Sequence, residues 1–182
     1  EENQSMKDCL VFAGLLDSLI NNCDVVKVAC LAQLINVIAP IMTNDDGVLL
    51  NTIWYPYLNY CTYCRGTALK SFMIEGETFP SRYGEASYLS NSIIYNDKEI
   101  VVSLTNYLKE DTEVSIELSG FEGLSIISHL EMRDDDLNAR NTFKDPLRVI
   151  PHELKNAISI NGNFLNVKLN KLSYNFIRLK RN

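Results

Sequence analysis

The chain has 182 residues, 46% of them hydrophobic and 22% charged, a balance that suits one large folded domain or one and a half ordinary ones and argues against disorder. Its net charge is −6 with Lys and Arg scattered, which argues against a nucleic-acid face. No apolar run reaches membrane-span length, and the opening Glu1-Glu2-Asn3-Gln4 lacks both a signal-peptide pattern and an initiator Met. A cytoplasmic fragment of a longer protein is therefore expected.

Ser5 followed by Asp8 has the form of a capping box, opening a helix with Cys9, Leu10, Ala13, Leu16, Leu19 and Ile20 on one face. Asn21-Asn22 is suited to end it. The run Val25–Thr43, VVKVACLAQLINVIAPIMT, follows directly. Its first part, Val25–Leu31, predicts a strand covered on both faces, as in a parallel sheet. Gln33 then falls just past the strand's C-terminal end, the rim on which substrate groups sit in a parallel α/β barrel. An amide in such a run needs a partner from protein, water or ligand, since an unpaired one costs about 1–3 kcal/mol.

Asn44-Asp45-Asp46-Gly47 is a turn by composition. Leu49–Tyr63 predicts a helix that Pro56 either kinks or starts, because an interior proline costs about 3 kcal/mol. The aromatic cluster Trp54, Tyr57 and Tyr60 suits either a sugar platform or packing against a neighbouring layer, and packing is the commoner use. Five cysteines, Cys9, Cys23, Cys30, Cys61 and Cys64, read as free buried thiols in a reducing compartment. Cys61-x-x-Cys64 lacks the second ligand pair of a zinc site, with His129 and His152 far along the chain, so no metal is expected there.

Beyond Arg65-Gly66 the chain reads as short strands: Ala68–Ile74, Ser87–Tyr95, Glu99–Tyr107, Glu113–Leu118, Leu124–Met132, Ala157–Ile160, Phe164–Leu169 and Tyr174–Leu179. Asn96-Asp97 and Asn161-Gly162 are hairpin turns by residue type. Strands without intervening helices predict an antiparallel sandwich, with the boundary near residue 66. Asp134, Asp136, Asn138 and Asp145 have calcium-loop spacing, but Ala139 stands at the glycine position and no helices flank the run, so calcium is not expected there. The glutamates Glu75, Glu77, Glu85, Glu99, Glu110, Glu113, Glu117, Glu122, Glu131 and Glu153 fall on strands or turns, where a charge is most often solvated.

VVKVACLAQLINVIAPIMT, NTIWYPYLNY, GTAL, DDDLNARNTFKDPLRVIP and LSYNFIRLK come in an order and spacing that resemble the C-terminal third of glycoside hydrolase family 51, the α-L-arabinofuranosidases. The resemblance implies a mainly β chain: the last αβα segment of a (β/α)8 barrel over residues 1–66, then a jelly-roll-like antiparallel sandwich over residues 67–182. It implies an exo-acting, retaining hydrolase of arabinofuranosyl oligosaccharides, without cofactor or metal. Both catalytic glutamates would lie upstream on barrel strands missing here, leaving this portion inactive alone. By the same resemblance Gln33 is a ligand to the arabinofuranose ring in the −1 subsite, against the plainer reading that it ties the strand end to its loop. Asn36 would support it from behind.

The resemblance also implies a homo-oligomer to which the sandwich contributes, with the missing upstream barrel as a separate partner of this portion. It implies too a long loop, DDDLNARNTFKDPLRVIP, that packs back on the barrel with its Asp and Asn capping turns. Asn22-Cys23 and Leu16 depart from the pattern, which often carries His-Ala and Trp or Phe there. These departures bear on substrate preference, not on Gln33. The alternative is a non-catalytic carbohydrate-binding or oligomerisation sandwich. The absence of Trp after Trp54 weakens its lectin-like form.

Overall fold

The computed structural model describes residues 3–45 and 47–181. Helix α1 (Met6–Asn21) begins as its sequence predicts: Ser5 N–H and Oγ both donate to the Asp8 carboxylate at 2.7 Å, and Asp8 N–H faces Ser5 Oγ. It ends at Asn22, whose backbone and side-chain N–H groups both donate to Ser18 O. The buried face is Met6, Cys9, Leu10 and Ala13, joined by one acid, Asp17.

The expected strand at Val25–Leu31 does not form. Residues 26–34 are neither helix nor strand, and Val25 and Val28 are 72% and 80% exposed. A parallel strand is stable only with neighbours on both edges and cover on both faces, and among the described residues this run has neither. The chain instead turns back into a hairpin, β1 (Ile41–Asn44) paired with β2 (Gly47–Leu50). Asp46 of the predicted turn lies outside the described residues. Leu49 and Leu50 therefore finish a strand rather than start a helix, and α2 runs only from Trp54 to Tyr63. Pro56 sits in its first turn, where no intrahelical N–H bond is forfeited.

The sandwich has more strands than expected. They are β3 (Thr67–Leu69), β4 (Thr78–Ser81), β5 (Gly84–Ser87), β6 (Leu89–Tyr95), β7 (Glu99–Asn106), β8 (Thr112–Glu117), β9 (Leu124–Met132), β10 (His152–Glu153), β11 (Ile158–Asn161), β12 (Phe164–Leu169) and β13 (Ser173–Arg181). One sheet has the order β10-β9-β13-β7-β6-β3 and the other β11-β12-β8, with every pair antiparallel. β3 stops at Leu69, short of the predicted Ile74. After it, residues 70–77 form no regular structure and lead into a separate β4–β5 ribbon. At the predicted hairpin sites, Asn96 Oδ1 accepts from Lys98 and Glu99 N–H, and Gly162 takes a φ of +59°.

The large sheet is buried on both faces, giving three layers. Ile100, Val102 and Leu104 of β7 and Ile177 and Leu179 of β13 face the small sheet through Leu165, Val167 and Leu169. The alternate residues Val101, Tyr174 and Phe176 face α1 and α2. This two-sided burial explains why the central strands read as near-continuous apolar runs. Phe176 is the hub of the helical side, with ring centroids 6.2 Å from Tyr60, 6.0 Å from Tyr63 and 6.5 Å from Tyr174. At the margin Arg178 grips Glu99 through two bonds of 2.8 and 2.6 Å, with its guanidinium 4.0 Å from the Tyr63 ring centre. Glu99 is thus paired, not solvated. α1 lies so close to the sheet that a Cβ on Gly14 would stand 2.0 Å from the Tyr107 hydroxyl, which donates to Leu10 O.

Candidate functional site

Gln33 stands at the start of a tight, left-handed turn. Its φ is +55°, and Asn36 and Val37 follow at +62° and +60°. A β-branched residue in that region is an outlier, and such conformations cost of order 1–3 kcal/mol each unless the surroundings enforce them. At Asn36 and Val37 they are enforced from several sides. The Asn36 amide accepts from Thr43 N–H at 2.7 Å and donates to Thr43 Oγ1 at 3.0 Å, while its backbone N–H donates to Ile41 O. Gln4 Nε2 donates to Ile38 O at 3.0 Å, and Asn51 Nδ2 to Ala39 O at 2.9 Å. Asn51 N–H donates to Pro40 O at 2.8 Å.

Ala39 and Pro40 are consequently buried, while the Gln33 side chain is exposed. The amide was expected within a buried run. Instead it rises from an apolar surface made by Val28, Leu34, Ile35, Val37 and Ile38, each at least 44% exposed. Asn36, expected to support Gln33 from behind, is the clasp of its turn.

The loop after β9 packs back onto these elements. Met6 N–H donates to Ala139 O and Lys7 N–H to Leu137 O, at 2.8 and 2.9 Å. Asp134 Oδ1 accepts from Asp136 N–H, Asp136 Oδ1 accepts from Asn138 N–H, and Arg148 pairs with both acids. The loop's acids thus cap turns and meet a guanidinium, the turn-capping use that the resemblance implies.

Two buried polar clusters escaped the sequence reading. Asp17, 1% exposed, accepts hydrogen bonds from Ser90 Oγ at 2.6 Å, Ser92 Oγ at 2.7 Å and the Tyr60 hydroxyl. Tyr60 in turn lies 2.8 Å from Ser103 Oγ, so the network joins α1, α2, β6 and β7. Glu131 is also buried rather than solvated, and both its oxygens accept from Asn170 Nδ2, at 2.9 and 3.0 Å. Beside it an open cavity of about 320 Å³ is lined by Arg133, Asp134, Asp135 and His152. The thiols also correct the expectation: all five are free, but Cys9 alone is fully buried, Cys64 is half-buried, and Cys23, Cys30 and Cys61 are exposed. Burial pushes the Cys64 thiol up to about 12, which makes it a poor nucleophile.

Burial outweighs the surrounding hydroxyls and raises the Asp17 carboxyl above its ordinary range. The folded carboxyl binds its proton more tightly than the unfolded one. Its contribution to stability is therefore present below the unfolded value of 3.8 and is lost as pH rises through the raised folded value. Buried His129 runs the other way: burial lowers its folded value, so its contribution is in place above 6.5 and lost as pH falls. Asp17→Asn removes only the first titration. Its urea midpoint is expected to rise relative to the parent as pH increases above 3.8, and parallel profiles would contradict this assignment.

The profile of the α-L-arabinofuranosidase C-terminal domain family matches residues 1–173, and the chain belongs to that family. An intracellular exo-α-(1→5)-L-arabinofuranosidase of Bacillus subtilis is 33% identical over 184 residues, covering 100% of this chain and 36% of the relative. Its counterpart from Streptomyces lividans is 36% identical over 182 residues, covering 98% and 27%. The chain thus spans about a third of the length of the curated relatives it matches.

Among solved structures, a family 51 α-L-arabinofuranosidase from Bifidobacterium longum aligns with a TM-score of 0.89 at 26% identity, over 98% of this chain and 36% of that one. The Thermotoga petrophila family 51 enzyme shares the fold at a TM-score of 0.85 and 24% identity, over 98% and 39%. Among the described residues no helix is long and apolar enough to cross a membrane.

Proposed function

We propose that this chain is the C-terminal part of an exo-acting, retaining α-L-arabinofuranosidase, in which residues 1–66 complete a catalytic barrel and residues 67–182 form the sandwich behind it. The observation that carries this reading is the enforced left-handed turn presenting an exposed amide at the edge of an apolar surface. Gln33 contacts the hydroxyls of an arabinofuranose ring in the −1 subsite, one amide offering both a donor and an acceptor without adding charge beside the catalytic carboxylates. Two upstream glutamates supply the nucleophile and the acid/base. Double displacement between them and water needs neither cofactor nor metal. The upstream barrel covers the apolar surface from Val25 to Ile38. The names of the relatives favour a cytoplasmic enzyme acting on arabinofuranosyl oligosaccharides.

The test is hydrolysis of an aryl α-L-arabinofuranoside by the full-length polypeptide, followed by NMR of the first-formed sugar. Release of the α-anomer supports the reading; inversion or no hydrolysis ends it. A second reading, self-association through the sandwich, is favoured by the β4–β5 arm. Among the described residues that ribbon pairs with no other strand, and around it Phe72, Ile74 and Tyr83 are 76%, 92% and 85% exposed. Light scattering compares the parent with Ile74→Lys, and a monomer in both would count against it.

A further inference from the structure

We propose that Asn51 and Asn141 are positioning residues, transmitting the sandwich's grip through the β1–β2 hairpin to the turn that presents Gln33. The inference rests on the subsite role proposed for Gln33. Both asparagines are 0% exposed. Asn141 is locked within its own loop, its Oδ1 accepting from Val149 N–H at 2.8 Å and its Nδ2 donating to Val149 O at 3.1 Å. The same Nδ2 reaches out to Leu50 O at 2.9 Å, at the end of β2. Asn51, the next residue, reaches back to the carbonyls of Ala39 and Pro40. Hydrogen bonds linked through the Leu50–Asn51 backbone therefore join the sandwich loop after β9 to the turn at residues 36–40.

This grip is needed because the turn is strained. Three residues other than glycine hold left-handed backbone within five positions, and such a turn relaxes once its carbonyls are released. The grip also has a cost: Asn51 Oδ1 is buried without a partner among the described residues. A buried orphan acceptor destabilises the fold locally, so the amide is better explained by what its Nδ2 holds than by net stability. Among the described residues no comparable hydrogen bond restrains the Gln33 side chain, which is exposed. The placement of Gln33 against the ring hydroxyls then depends on the anchored end, and misplacing it weakens binding of ground and transition states alike.

The test uses the full-length polypeptide with Asn51→Ser and Asn141→Ala, beside a control, Leu165→Ala, which opens the distant inter-sheet core. The asparagine variants should raise KM for an aryl α-L-arabinofuranoside about tenfold, with kcat changed less than about twofold. The control should lower the melting temperature and leave KM unmoved. Amide exchange gives a second readout. The Asn36 and Ala39 N–H groups, bonded to Ile41 O and Asn36 O, should exchange at least about tenfold faster in both asparagine variants, with β7 and β13 unchanged.

An unmoved KM in an active, folded variant overturns the proposal, as does unchanged exchange at Asn36 and Ala39. If the unsubstituted polypeptide has no arabinofuranosidase activity, the functional reading has failed instead. Exchange alone then decides whether the asparagines hold the turn.

Discussion

Gln33→Ala in the full-length polypeptide is expected to lower kcat/KM for an aryl α-L-arabinofuranoside about 10²-fold while leaving the melting temperature almost unchanged. The two halves of this prediction have separate origins. Gln33 is exposed, so removing its side chain opens no cavity and breaks no core contact. Ala meets the same backbone strain at φ +55° as Gln does, so the turn is not relieved either. What is lost is an amide that pairs with ring hydroxyls, and a factor of 10² corresponds to about 2.7 kcal/mol of transition-state stabilisation. Gln33→Asn, one methylene shorter but still an amide, should fall between the two. A melting temperature lowered by several degrees with kcat/KM intact would reduce Gln33 to a structural tie.

The largest effect on stability is expected at Phe176. Its ring is fully buried and touches aromatic rings from α2 and from its own strand, at the point where the helical layer meets the sheet. Phe176→Ala should cost about 3–5 kcal/mol in denaturant unfolding, because neither a central strand nor the helix packed on it can collapse into the space. Phe164→Ala, at a site 45% exposed, should cost much less. A loss under about 1.5 kcal/mol for Phe176→Ala would mean that the helices rest on the sheet rather than share its core.

What was legible in the sequence follows the range of the interactions concerned. The capping box at Ser5 and Asp8 is a contact within one turn, and α1 starts where it predicts. β9 and β12 run over the residues expected, because alternation and flanking turns are local signals. Val25–Leu31 was misread for the converse reason. Its composition specifies a strand only when neighbours are present, and among the described residues it has none.

The Gln33 motif was visible as residues, but the turn that presents it was not. Three left-handed positions within five residues, at Gln33, Asn36 and Val37, carry no glycine to announce them. Asn51, Asn141 and Asp17 were missed because their partners lie 8 to 91 residues away, beyond the period of a local pattern. The one sequence hint at Asp17 is an acid four residues beyond Ala13 on a helix face that is otherwise apolar.

The central claim is that this chain presents a substrate-binding amide to a catalytic carboxyl pair it does not itself contain. The most direct measurement sets the 182-residue chain beside the same polypeptide extended upstream to the length of its relatives, both assayed on an aryl α-L-arabinofuranoside. Activity confined to the longer protein is the result predicted. Turnover by the 182 residues alone would contradict it, since a carboxyl pair roughly 5 Å apart would then have to exist among groups assigned here to capping and packing.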